Sequence, residues 1–572
     1  MKDQRRARNL CTPKNLTAEP LHYQHLNGEL KVRLSTLGPH ITGLVSLAAI
    51  LTLTLSRLAG TTTINANSAS ESDVSTAIAS ATNGDIVIIP AGTAIWTRTL
   101  SVKKAIELRG AGVGNTIIKD GVQHGQTIGV VLVPGKLTRI TGIEFQDGGR
   151  PNGTGEAPVG VIHIDGSNTD GSTFRFDHNK WNDLNGFFVP DTVIGVVDHN
   201  QIITGGKTLQ FCYPYATHWN GGTYGDGSWA APANWGSSQF LFFEDNTFTN
   251  TNRTYQAYFF DGFGGARFVL RHNTSSGGLL GSNHGTESPG RNRSCRAMDI
   301  YKNNISCNNL NRFPAGSRGG STLFHENTIT HCWGGMAQYN LDAYRMLSSF
   351  APWGGADGTN GWDENNPGNP FYSGSASAVG ANTVSVSGNL WATNQWSGYT
   401  IKRNAGGFAF IQSNTSNTIT FASGLFGPLS FNVGDSFVIN KVEQSMDQPG
   451  VGASMLISGD SPTPPPGWKQ LADPCYSWGN TNDGAPFNNF KPSESNIKVN
   501  VNFFNDTAQP GYTEFTYPHP LVNGGSLPLP TSPAATPTSL RRPWGGKKQQ
   551  KRKEIKGKLG KKAKQNPANE NG

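Results

Sequence analysis

One short phrase returns six times between Phe174 and Thr330, and its return limits what the chain can fold into. It reads FRFDHN, VVDHN, FFEDN, VLRHN, IYKNN and LFHEN, closing at Asn179, Asn200, Asn246, Asn273, Asn304 and Asn327. The closing asparagines are 21, 46, 27, 31 and 23 residues apart, which indicates a repeat of roughly 20–30 residues with 46 read as two units. Each unit is a short strand with an apolar face it cannot bury alone. Such units stack on copies of themselves, so that each strand pairs with the next. The asparagines then fall in register at one corner. There the amides bond turn backbone and stacked neighbours, and asparagine tolerates left-handed backbone. The predicted fold is all-β, a parallel β-helix.

A coil of this kind lengthens without widening its core, so 572 residues need not divide into several domains. Hydrophobic residues make up 35%, and 71 glycines bring the apolar share to a normal globular value. The net charge of +8 belongs to the ends. Residues 541–572 carry 12 Lys/Arg against 2 acids and residues 1–60 carry 8 against 3, leaving a body of 27 bases and 34 acids. Basic charge at the termini instead of on one face does not indicate a nucleic-acid partner. The apolar run Ile41–Leu55 follows a basic segment and precedes small residues around Ala66, as in a signal peptide, and is short for a membrane span. Export to a secreted or cell-surface location, extracellular or periplasmic, is expected, with membrane attachment only if this leader is an uncleaved anchor. The six cysteines show no metal spacing such as C-x-x-C. Cys295 and Cys307 either bridge adjacent strands in an oxidising compartment or are buried thiols.

Ser70–Ala81 places Val74, Ala77, Ile78 and Ala81 on one face, with Ser and Asp at its start and Asn83-Gly84 at its stop. It predicts a short helix capping the open end of the coil. Short strands with turns follow from Ile86 to Ile118. The run SESDVSTAIASATNGDIVIIPAGTAIWTRTLSVKKAIELRGAGVGNTIIKDG resembles the opening of the right-handed parallel β-helix proteins of the pectin-lyase-like superfamily. The resemblance extends by repeat pattern to about residue 340. It implies a right-handed coil, and a superfamily of lyases, glycoside hydrolases, esterases and adhesins does not by itself select an activity. The predicted organisation is a leader at 1–66, the β-helix at 67–372, a small inserted antiparallel β module at 373–442, the rest of the coil and its cap at 443–522, and a Pro-rich then basic tail at 523–572. In the module Trp391, Trp396 and Tyr399 read as core rings before sugar platforms. The chain is expected to be a monomer.

Strand alternation suggests where chemistry sits. In Ala266–His272 the inward pair is Phe268 and Leu270, which turns Arg267 and Arg271 outward, and on the next repeat Met298 and Ile300 turn Asp299 and Tyr301 outward. Stacked strands lie about 4.8 Å apart, so these side chains meet on one face. The intervening loop 277–294 supplies His284, Glu287, Arg291 and Arg293 and leads into Arg296. A cation-rich face suits a uronate-containing polysaccharide cleaved by β-elimination. Arginines neutralise the carboxylate, His284 removes the adjoining proton and Tyr301 protonates the leaving oxygen. The resemblance to pectate lyases implies an arginine base, which makes Arg271 the second candidate. The alternative is surface ion pairing of these arginines with Asp299 and Glu287. Loops rich in aromatic residues offer Trp219, Trp229, Trp235 and Trp353 for stacking on sugars, or else as packing onto the wall. The aspartates that bind calcium in pectate lyases and their full arginine motif are absent, so no cofactor is assigned and calcium has no clear ligand motif. Asn168-Thr-Asp-Gly171 and His284-Gly285 resemble fragments of polygalacturonase signatures without the paired Asp-Asp. A hydrolase and a non-catalytic carbohydrate-binding adhesin therefore stay as alternatives. His178 and His199 are read as turn-bonding corner residues.

Overall fold

The computed structural model describes residues 61–222, 225–255, 257–285, 293–308, 313–332, 339–342, 372–396, 400–421, 429–440, 447–452, 471–492, 497 and 499–527. The apolar run Ile41–Leu55, the basic tail, Tyr399, Glu287, Arg291 and Trp353 lie outside these residues. Among the described residues no helix is long and apolar enough to cross a membrane.

The chain is all-β, with three long parallel sheets visited in turn. Ile86–Ile89 belongs to a twelve-stranded sheet, Gly92–Trp96 to an eleven-stranded sheet and Leu100–Val102 to a seven-stranded sheet. The next three strands, Glu107–Gly110, Thr116–Asp120 and Ile128–Val131, pair with them in the same order. Alternation along each strand sends Phe174, Phe176, Phe268, Leu270, Met298 and Ile300 into one shared core. The helix Glu71–Ser80 starts where Ser70 Oγ accepts the Asp73 amide, and it buries Val74, Ala77 and Ile78 against the first strands.

The corner asparagines form a continuous amide ladder. Asn200 donates from both its backbone N–H and its Nδ2 to Asn246 Oδ1, each at 2.9 Å, and Nδ2 also donates to the carbonyls of Phe176 and Asp198. Asn246, Asn273, Asn303 and Asn327 repeat this toward Asn273, Asn303, Asn327 and Asn480. Three sequence expectations are corrected here. The register residue of IYKNN is Asn303, because Asn304 already opens the next strand, Asn304–Ser306. The 46-residue spacing is one step and not two, since Gly195–Asp198 pairs directly with Leu241–Glu244 and the excess length is looped out. The left-handed residue is the one before each asparagine: His178, His199, Asp245, His272, Lys302 and Glu326 have φ between 52° and 57°. That turn swings the following amide inward onto the ladder.

The described strands between Tyr372 and Asn440 form a separate antiparallel sheet of seven strands with its own core, where Trp391 and Trp396 pack with Ile401, Ile411 and Phe437. Strand pairing then resumes: Cys475–Trp478 lies parallel to Ser321–His325, and Phe490–Pro492 to Tyr339–Leu341. Cys307 pairs with Cys332, not with Cys295, which is a buried thiol like Cys212 and Cys475.

Asn273→Ala removes the acceptor of the buried Asn246 backbone amide, while Asn246 Nδ2 keeps the carbonyls of Val197 and Glu244. Denaturant unfolding is expected to show a loss of about 1–3 kcal/mol for the donor left unpaired, and an unchanged midpoint would contradict the structural role given to the ladder.

Candidate functional site

The expected cation-rich face is present, but it is covered. Arg267, Arg271, Asp299 and Tyr301 point away from the core on the twelve-stranded sheet, where Arg271 and Tyr301 are register partners. All four are buried, Arg271 fully. The cover is the C-terminal segment 512–527, which crosses the strand ends as a strap. Arg271 bonds Glu244 Oε2 and Tyr301 Oη, then donates to the carbonyls of Phe515 and Thr516. Three strands earlier Arg175 is paired with Asp198 by two hydrogen bonds and donates to the carbonyls of Leu521 and Val522. Glu244 accepts the His519 amide, and Tyr512 Oη donates to Asp299 Oδ2 at 2.7 Å. Burial draws Arg271 down, yet Tyr301 and Glu244 outweigh it and raise it above the ordinary arginine value. Burial likewise pushes the Tyr301 hydroxyl up. Neither group is open to a substrate, and an arginine held so firmly charged is not a base.

The substrate-binding candidates are also packed away. Arg267 spends its donors on Ser228 Oγ and on the carbonyls of Ser228, Ala231, Pro232 and Ala233, with its guanidinium 4.6 Å from the Trp219 ring. Arg293 is shared between Asp447 and Asp226 and lies 4.7 Å from Trp229, while Arg296 bonds Asp473. Trp229 is fully buried and donates to Ser294 O, Trp219 is buried, and Trp235 stacks on Phe240. These rings and arginines fix the aromatic loop to the wall, because each planar cation finds a ring face and a set of carbonyls. His178 and His199 each bond the preceding aspartate and stack on one another at 5.1 Å.

His284 lies apart from Arg271. It is linked by ring contacts through Phe263 to Tyr215, on the side of the seven-stranded parallel sheet. That face carries a constellation the sequence did not suggest. In Ile162–Asp165 the isoleucines point inward, leaving His163 and Asp165 outward, and Asp165 is the register partner of Asp191 in Phe188–Asp191. Asp191 in turn bridges to Tyr215. The side chain of Asp165 is 47% exposed and that of His218 is 62% exposed. Further along, Tyr258 is exposed, and Arg318 bonds Asp261 and the carbonyl of Asn283.

The hydrogen bonds define charge states. His163 Nδ1 faces the Val159 carbonyl at 3.0 Å and Nε2 faces Asp165 Oδ1 at 3.1 Å. Both oxygens only accept, so both ring nitrogens carry hydrogen. Burial lowers the His163 pKa, but its bond and attraction to Asp165 win and leave it above the ordinary imidazole value. The same bond, working against burial, holds the Asp165 carboxyl below its usual range. Asp191 is fixed by Thr217, through its amide and its hydroxyl, and by Thr192 Oγ1. His218 Nδ1 stands 3.8 Å from Asp191 Oδ2.

Among the described residues two groups bring three donor atoms within 4.8 Å of one another: Asp165, Asp191 and His218, and His325, Glu326 and Glu514. An imidazole in each suits a transition metal better than calcium. The Asp165–Asp191–His218 set escaped the sequence reading because its members lie outside the repeated phrase, although their spacings of 26 and 27 residues match single steps of the repeat. Neither protein-family models nor curated proteins give a match to this chain.

Arg271→Met strands the buried Glu244 and frees two strap carbonyls. Thermal unfolding is expected to show destabilisation of roughly 3–5 kcal/mol, with faster proteolysis inside 512–527. Wild-type stability with lost activity would instead restore Arg271 to a catalytic role.

Proposed function

We propose that this protein is a right-handed parallel β-helix that acts on a polysaccharide, hydrolysing glycosidic bonds on the outer face of its seven-stranded parallel sheet. The regular return of the strands to three sheets supports the coil, as does the resemblance of the opening run to the pectin-lyase-like superfamily. The activity is carried by one observation, the placement of Asp165 and Asp191 side by side on adjacent strands with His163 and His218 around them. Glycoside hydrolysis needs one group to take a proton from water and another to give one to the leaving oxygen. Asp165, kept ionised by His163, attacks the anomeric carbon to form a glycosyl-enzyme, which water then hydrolyses with His218 as base. Groups this close together leave no room for a water between them and the sugar. His218 gives its proton as the glycosidic C–O bond breaks, with Asp191 beside it supporting the charged ring. Tyr215 and Tyr258 supply ring faces on which sugars stack.

Elimination at the arginine wall is the weaker reading, because it requires a cation open to the uronate, and Arg267, Arg271, Arg293 and Arg296 are buried and engaged. Export to an oxidising compartment belongs to the proposal, and the Cys307–Cys332 bridge fits it.

A panel of neutral and uronate polymers decides between the activities. New reducing ends are expected, whereas ultraviolet-absorbing unsaturated ends would mean elimination, and retention without cleavage would mean an adhesin. Asp165→Asn is expected to lower the rate by about 10²–10⁴-fold at unchanged unfolding midpoint. The pH profile supplies a second check. Asp165, held below its usual range by His163, is neutralised at lower pH than an ordinary aspartate, so the acid limb of the activity profile is expected to be displaced to lower pH. His163→Gln removes the cation and should move that acid limb to higher pH, while an unmoved limb would exclude Asp165 as the nucleophile.

A further inference from the structure

We propose that His325, Glu326 and Glu514 form a site for a divalent transition-metal ion that clamps the C-terminal strap to the twelve-stranded sheet. The site is independent of the hydrolase reading, since His325 belongs to a different sheet from Asp165 and Asp191. His325 closes the strand Ser321–His325, Glu326 is the left-handed corner residue after it, and Glu514 comes from the strap. One ligand atom from each lies within 4.8 Å of the other two. Calcium takes six to eight oxygens, whereas an imidazole with two carboxylates and a water suits zinc and its neighbours.

The imidazole is held as a metal ligand needs to be. Strand register stacks it between Tyr301 and Trp478, with ring centroids 4.7 and 4.0 Å away and planes 13° and 9° from parallel. The sandwich keeps the ring from turning. Its Nε2 faces Asp299 Oδ1 at 3.3 Å, and a carboxylate only accepts, so Nε2 carries the hydrogen. Tyr512 Oη donates to Asp299 Oδ2 and fixes that carboxylate in turn. The Nδ1 lone pair is thereby directed toward Glu326, in the arrangement by which a carboxylate orients a metal-binding imidazole. The His325 side chain is 1% exposed, and Nδ1 has no hydrogen-bond partner. Buried polar atoms are ordinarily paired, and Glu326 Oε2, 3.7 Å away, is too distant to serve. Two atoms bound to one zinc stand about 3.4 Å apart at the tetrahedral angle, so that gap is one an ion closes.

Charge and access fit the same ion. Glu326 and Glu514 together carry two negative charges, which a dication neutralises. Lys302 competes for them, with its ammonium 2.7 Å from Glu514 Oε2 and 3.5 Å from Glu326 Oε2. Burial works to raise the Glu514 pKa, but the bond to Lys302 prevails and keeps the carboxyl ionised below its usual range. The side chains of Lys302 and Glu326 are 38% and 44% exposed. Both therefore swing toward solvent, and rotation of Glu326 opens Nδ1 to an ion that the two carboxylates then enclose. Because Glu514 belongs to the strap, the bound ion ties that segment to the wall beside Arg271.

The test is zinc binding by the full chain after chelator treatment, measured by competition with a chromophoric chelator while the unfolding midpoint and proteolysis inside 512–527 are followed. Zinc is expected to bind, to raise the midpoint with its concentration and to slow cleavage of the strap. Glu514→Gln and Glu326→Gln should each lower zinc affinity by at least about 10–100-fold, the loss seen for outer partners of a metal, and should abolish the protection of the strap. Lys302→Met removes the competing ammonium and should bind zinc roughly two- to fivefold more tightly. If the glutamates serve only as ion-pair partners of Lys302, zinc leaves the strap unprotected and Lys302→Met gains no affinity, and either result overturns the site. Unchanged zinc affinity in both glutamine variants would place the ion elsewhere, for example at Asp165, Asp191 and His218, and would overturn it as well.

Discussion

The amide ladder is the constraint on which the remaining structure depends. A strand end turned by a left-handed residue leaves backbone donors facing inward, where no solvent reaches them. An asparagine next in sequence answers this with one oxygen that accepts two donors from the preceding strand end and one nitrogen that reaches the carbonyls behind. The ladder sets the height at which each strand enters the twelve-stranded sheet, and so fixes which outward side chains become neighbours. Arg271 opposes Tyr301 and Glu244 because their asparagines are bonded two residues later.

The wall built by that register is rich in charge and is also buried, a combination that requires complete pairing. Arg175 with Asp198, Arg271 with Glu244 and Arg293 with Asp447 and Asp226 each place a guanidinium on carboxylate oxygens. Their remaining donors meet the carbonyls of the strap or of the aromatic loop. Desolvated ion pairs are poor sources of net stability but severe penalties when broken. These pairs therefore act as fasteners that specify where the strap and loop dock.

The seven-stranded parallel sheet differs in that its outer face keeps titratable groups at solvent. Two aspartates, two histidines and exposed tyrosine surface occupy neighbouring positions there. A stiff wall with chemistry on one face and loops around it is a common way of holding an extended polymer.

Much of the scaffold was legible in the chain itself. The repeated phrase announced stacked strands, period-two alternation separated Phe268 and Leu270 from Arg267 and Arg271, and Ser70 with its apolar face marked the helix. These are local signals, written within a few residues by hydrogen-bonding capacity and hydrophobicity. What the tertiary structure decided was whether an outward residue is open. Phe515 and Thr516 lie 244 and 245 residues from Arg271, and nothing near Arg271 records that they will cover it. Asp165, Asp191 and His218 come together for the same reason in reverse: they are remote in sequence, and only the stacking of successive strands, about 4.8 Å apart, makes them neighbours. Alternation determines the direction of a side chain, whereas its solvent exposure depends on every other segment that folds over it.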